Sequence, residues 1–100
     1  MRLTPEQLDA IQCASISAFS KDVGVWLFGS RVDDSKKGGD IDLLIQPAVA
    51  ANDQLFSRKI RFLTQLERRL GERKIDVVIE TPNDTRPIIE IAHATGIRIV

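Results

Sequence analysis

Asp40-Ile41-Asp42 opens an apolar run, and this spacing constrains the fold more than any other feature of the chain. In an extended strand, side chains alternate between faces. Asp40 and Asp42 therefore project one way, while Ile41, Leu43 and Ile45 project the other. A second apolar run, Val23 to Phe28, ends just upstream in the small pair Gly29-Ser30. A third, Lys74 to Glu80, embeds Asp76 among β-branched residues. Three strands that each end at, or carry, a residue suited to a polar site point to an α/β domain with its chemistry on the sheet.

The intervening segments read as helices. Thr4 before Pro5, with Gln7 three positions on, is a capping box with proline at the first helical position. Leu8, Ile11, Ser15, Ala18 and Phe19 then follow the helical period. Asn52 or Asp53 is expected to cap a second helix reaching Leu70. Its buried face is expected to carry Leu55, Phe56, Ile60, Leu63, Leu66 and Leu70, and its solvated face Arg58, Lys59, Arg61, Glu67, Arg68 and Arg69. Gly71 suits its C-terminal stop. Pro87 opens a last helix that ends at Gly96, and Ile97 to Val100 can form a short fourth strand. Arg31 to Gly39 reads as a short helical turn and a loop. The order α-β-β-α-β-α-β predicts an α/β (α+β) sandwich, with a small mixed sheet of three to four strands packed against helices. Residues 1–100 are expected to form a single domain.

Composition narrows the function classes. Lysine plus arginine number 14 and so do aspartate plus glutamate, which argues against a dedicated nucleic-acid binder. The single cysteine, Cys13, excludes an intrachain disulfide and a zinc-thiolate cluster. No apolar run is long enough to span a bilayer and no signal-like segment begins the chain, so a cytoplasmic protein with no membrane partner is expected.

A lone strand-end aspartate is ordinarily a solvated carboxylate, and convergence is what gives these three a different meaning. At about 5 Å, two carboxylates repel by roughly 3 kcal/mol at an effective dielectric of about 20. Three such pairs rival the whole stability of a small domain, about 5–15 kcal/mol. The acids must protonate, splay apart or hold a cation. Oxygen ligands alone favour Mg²⁺, with Mn²⁺ the alternative, over zinc. Gly29 permits a left-handed or closely approached turn, and the Ser30 hydroxyl and the following amides suit phosphate oxygens. Trp26 and Phe28 are expected in the core, His93 as a solvated or capping residue, and the arginines of the long helix in solvent.

The pattern G-S-x9-D-x-D-L-L-I, followed by a strand aspartate, resembles the DNA polymerase beta-type nucleotidyltransferase superfamily, and most closely the minimal nucleotidyltransferases (MNT). The likeness runs from Val23 to Ile79. It implies the polymerase-beta-like fold and two Mg²⁺ ions on Asp40, Asp42 and Asp76, all three catalytic and Asp76 the base. It also implies a nucleoside triphosphate, ATP, held by Gly29, Ser30 and Arg31. Many relatives place an Arg-Gly pair where this chain has Asp33 and Asp34, so the resemblance implies a cradle that is either looser or partly filled by Arg31, Lys36 and Lys37. Relatives of this size pair with a helical HEPN-type protein as antitoxin and toxin, and some transfer AMP to a tyrosine of that partner. This chain contains no tyrosine, so any acceptor tyrosine belongs to another chain. The resemblance thus implies a protein adenylyltransferase within such a pair. The alternative is a non-catalytic module that neutralises its partner by contact and keeps a relict metal site. A small-molecule acceptor would need a pocket completed by a homo-oligomer.

Overall fold

Thr4 begins the first regular element as its sequence predicts. In the computed structural model, which describes residues 3–29, 40–48, 53–72 and 74–100, the Gln7 amide donates to Thr4 Oγ1 at 3.1 Å. The Thr4 amide donates back to Gln7 Oε1 at 3.0 Å. Helix α1 (Pro5–Phe19) follows, burying Ala10, Ile11, Ala14, Ser15, Ala18 and Phe19 along one stripe. Two orphan donors depend on this box, so Thr4→Ala should cost about 1 kcal/mol. For a domain this size that lowers the melting midpoint by about 4–8 °C, readable by circular dichroism.

Strands β1 (Gly24–Phe28), β2 (Ile41–Gln46), β3 (Ile75–Ile79) and β4 (Ile97–Arg98) form one mixed sheet in the order β3-β2-β1-β4. β1 runs antiparallel to β2 and to β4, while β2 and β3 are parallel. A parallel neighbour needs a long crossover, and α2 (Leu55–Leu70) provides it. Helix α3 (Pro87–Thr95) lies between β3 and β4 in sequence.

The two sheet faces differ in cargo. Val25, Leu27, Leu43 and Ile45 turn toward α1 and α2 and pack with Ile11, Phe19, Phe62 and Leu66. Phe19 and Phe62 meet edge to face at 5.9 Å. The opposite face carries Trp26, Phe28, Leu44 and Val78 against Ile89 and Ala92 of α3. The element order and the mixed sheet are those expected, and Trp26 and Phe28 are packed as expected.

Helix α2 departs from expectation in its cap and in its face. Gln54, in the left-handed region at φ 51°, occupies the cap position without a side-chain bond. Asp53 instead pairs with Arg58 at 3.3 Å, and Asn52 lies outside the described residues. Phe62 and Leu66 are the buried residues, whereas Phe56 is 77% and Ile60 49% exposed. At 100° per residue, Leu55, Phe62 and Leu66 share a narrow row, and Phe56 and Ile60 fall more than a quarter turn away.

Arg58 and Arg69 flank that row and do not stand in solvent alone. Arg58 Nη1 donates to the Ala18 carbonyl at 2.9 Å and Arg61 Nη2 to the same oxygen at 3.4 Å. Arg69 pairs with Glu6 at 2.7 Å and Asp9 at 2.9 Å. One end of α2 thus satisfies a last-turn carbonyl of α1, and the other neutralises Glu6 of its first turn and Asp9 just beyond it. No described helix is long and apolar enough to cross a membrane.

Candidate active site

The register of β2 and β3 places Asp42 directly beside Asp76. Both residues belong to the parity that carries Leu44 and Val78, so both carboxylates lie on the α3 face of the sheet, beyond the apolar contacts of that helix. Phe28 is the register partner of Asp42 on its other side, and Gly29 follows immediately. Gly29 adopts φ +79°, and its backbone lies so close to the Asp42 carboxyl that a Cβ there would overlap Oδ2. No other residue meets both the dihedral and the space. The strand parity read from sequence is therefore the arrangement the fold produces. Ser30 and Arg31, the other expected phosphate contacts, lie outside the described residues, as do Asp33, Asp34, Lys36 and Lys37.

Asp42 is half-buried and Asp76 is exposed on the edge strand. Burial pushes the Asp42 carboxyl above the ordinary aspartate value. The charges of Asp76 and Asp40 and a hydrogen bond with Asp76 push it in the same direction, while Lys74 opposes them. Two carboxyl groups can share a hydrogen bond only where one of them is protonated, and when both are charged the pair repels.

Asp40 couples to this pair through its charge but leans elsewhere. Its Oδ2 lies 3.7 Å from the Lys74 ammonium. Among the described residues, no three His, Cys, Asp or Glu side chains converge tightly enough to hold a metal ion as they stand. The expected meeting of three acids is thus a close pair with a third charge beside it. Lys74 offsets part of the like charge at this end of the sheet. Sequence reasoning did not assign Lys74 to the site, although it stands two residues before Asp76 and shares its parity. The donor set, all carboxylate oxygen, suits a hard divalent ion, and Asp40, Asp42 and Asp76 are the residues that could hold one.

Two further polar clusters occupy the far end of β3. His93 Nε2 lies 2.5 Å from Glu80 Oε1, and its ring meets Trp26 edge-on at 4.5 Å. The Arg98 guanidinium sits over the Trp26 ring, 5.0 Å from its centroid. The solvated or capping role expected of His93 is replaced by a bridge from α3 to the end of β3.

Beside it, the turn after β3 is built on Asp84, whose side chain is only 4% exposed. Its carboxylate accepts from the Thr81 amide and hydroxyl and from the Arg86 amide and guanidinium. The Arg86 guanidinium holds Asp84 well below the usual carboxylate range. A depressed value means that the folded protein binds fewer protons than the unfolded chain. The contribution is therefore full above the ordinary aspartate value and fades as pH falls below it. Asp84→Asn should lower the urea midpoint at neutral pH, and the gap to wild type should narrow progressively as the buffer is acidified.

The family model described as a nucleotidyltransferase domain matches residues 13–98. Comparison with curated proteins gives no match.

Proposed function

Because the chain belongs to the nucleotidyltransferase domain family, whose chemistry is nucleotidyl transfer, we propose that it moves AMP from ATP onto a hydroxyl of a partner protein. The observation that carries this reading is the side-by-side register of Asp42 and Asp76 on one sheet face, with the Gly29 backbone pressed against Asp42. A helical HEPN-type protein is the partner the proposal names, since the resemblance to minimal nucleotidyltransferases points there.

Asp40, Asp42 and Asp76 would hold Mg²⁺, which when bound supplies positive charge to the triphosphate and acidifies the acceptor hydroxyl. The chain's own residues then divide the remaining work. Gly29 lets the backbone approach the Asp42 carboxyl closely. Asp76, exposed at the sheet edge, faces an incoming hydroxyl and accepts its proton. The acceptor oxygen bonds to the α-phosphorus, the bridge to the β-phosphate breaks, and pyrophosphate leaves. Most of the rate enhancement comes from positioning and fixed charge.

The test is transfer of label from [α-³²P]ATP, with [γ-³²P]ATP as control, to the co-expressed partner in Mg²⁺. Label from the α-phosphate alone, lost in an Asp40→Asn, Asp42→Asn double variant, supports the proposal. Unchanged labelling by that variant overturns it. Partner neutralisation that survives the double variant without any labelling by wild type would favour the contact-only module.

A further inference from the structure

β3 is an edge strand, and its hydrogen-bonding groups divide cleanly. The Ile41 amide donates to the Lys74 carbonyl and the Glu80 amide to the Ile45 carbonyl. In a parallel ladder this parity turns the amides and carbonyls of Ile75, Val77 and Ile79 outward, away from β2. Arg86 Nη2 takes one lone pair of the Ile79 carbonyl at 2.7 Å and leaves the other. Among the described residues, nothing pairs with the outward groups of Ile75 and Val77.

The surface beside this edge is apolar. On the α2 side, Ile75, Val77 and Ile79 are only partly buried, as is Leu63 of α2. At 100° per residue, Phe56 and Ile60 fall within about 60° of Leu63, on the flank opposite the α1 contacts. They are the exposed large apolar residues of α2, and they extend the patch beyond the β3 edge. Charge is segregated along it. A hollow of about 640 Å³ at the Val77–Ile79 end carries Lys59, with Asp84 and Arg86 neutralising one another. One of about 410 Å³ at the Ile75 end carries Glu67, Glu72 and Lys74, a net negative set.

We propose that a second copy of this chain continues the sheet here, β3 pairing antiparallel with β3 about a two-fold axis through Val77. Val77 is the midpoint of the strand, so only this register pairs all of its residues. The outward groups match, Val77 facing Val77 and Ile75 facing Ile79 as hydrogen-bonded pairs. On the α3 face, Lys74 then stands directly opposite Glu80 of the second copy at both ends of the ladder, and Asp76 opposite Val78. Moving the axis one residue either way sets Asp76 against itself or against Glu80, and like charges directly opposite destabilise a strand pair. On the other face, the same axis brings the Lys59 end of one α2 beside the Glu67 end of the other. Phe56, Ile60 and Leu63 of both helices lie between them. A surface whose charge inverts along its length is complementary to its own two-fold copy. A strand pair alone is marginal, and the apolar residues of α2 give the interface its core. The Asp42 and Asp76 carboxylates of both copies open on the same face of the joined sheet, so an acceptor approaches from above that face. The dimer does not depend on the transfer chemistry.

Sedimentation velocity on the purified chain at about 100 µM should give twice the chain mass, falling to the single mass on dilution. Lys59→Glu and Glu67→Lys should each raise the dissociation constant at least about tenfold, because each sets like charges together at two symmetric contacts. The double variant Lys59→Glu, Glu67→Lys should return to within about threefold of wild type. Val77→Pro removes only an outward amide, so it should weaken pairing by at least about tenfold and leave the helical circular dichroism unchanged. Amide exchange at Ile75 and Val77 should be slow in the dimer and quicken on dilution. A chain that is monomeric at that concentration overturns the proposal. So does a dimer whose Ile75 and Val77 amides exchange freely, or one whose affinity ignores the single charge reversals or fails to recover in the double variant. Edge amides protected only when the helical partner is added would assign the edge to that partner and also overturn it. A dimer without AMP transfer upholds the pairing and sinks only the transferase reading.

Discussion

Asp42→Asn should reduce AMP transfer by at least about 10³-fold, some 4 kcal/mol of transition-state stabilisation, while making the protein more stable. Both effects follow from one carboxyl. Asp42 is pushed above the ordinary aspartate value first by burial and then by Asp76 and Asp40. A raised folded value means that the native state binds more protons than the unfolded chain between the two values. Stability therefore falls as pH rises through that window, and the full penalty applies at neutral pH. Asparagine carries no charge and still donates to Asp76, so the penalty disappears. After solvent screening at this half-exposed site, the gain should be about 0.5–1 kcal/mol, or about 2–8 °C in melting midpoint. The two melting curves should converge on the acid side of the window. Added Mg²⁺ should stabilise wild type by mass action and leave the variant nearly unmoved. A variant that melts lower than wild type at neutral pH would contradict the like-charge account.

Gly29→Ala should cost transfer about 10²-fold, the scale of a small misplacement at a reacting centre, although every carboxylate remains present. Its φ of +79° is strained for any residue with a Cβ, and that Cβ would overlap the Asp42 carboxyl. The left-handed backbone costs about 1–2 kcal/mol, and the displaced carboxyl accounts for the rest of the loss. Gly71 supplies the internal control. It has φ +75° at the end of α2, and a Cβ there would meet nothing within 4 Å. Gly71→Ala should lower the melting midpoint to a similar degree and leave kcat/KM unchanged. Equal activity in the two variants would mean that the contact with Asp42 is unimportant.

Much of this arrangement was legible in the sequence because it depends on local rules. The capping box at Thr4 and Gln7 is satisfied atom by atom. Strand parity placed Asp42 on the face opposite Ile41 and Leu43, and Asp76 opposite Ile75 and Val77, without any coordinates. What could not be read was pairing. The parallel register that sets Asp42 beside Asp76 depends on the crossover through α2, and no residue within either strand encodes it. The approach of Lys74 to Asp40 follows from the same register. The face of α2 was misread for a related reason: its arginines looked like solvent residues, but their partners, Ala18, Glu6 and Asp9, are about 40 to 63 positions distant. Long polar side chains can cover apolar surface while their heads find remote acceptors, and periodicity alone does not separate them from free ones.

Trp26 is the lone indole in a chain without tyrosine. Its intrinsic emission therefore has one source, bracketed by the His93 ring from α3 and the Arg98 guanidinium from β4. Any displacement of the last fourteen residues, Pro87 to Val100, should alter its colour or intensity, whereas loosening confined to the opposite layer should leave both almost constant. The protein thus carries a built-in optical gauge for its C-terminal segment, and unfolding recorded by fluorescence need not coincide with unfolding recorded by helical signal.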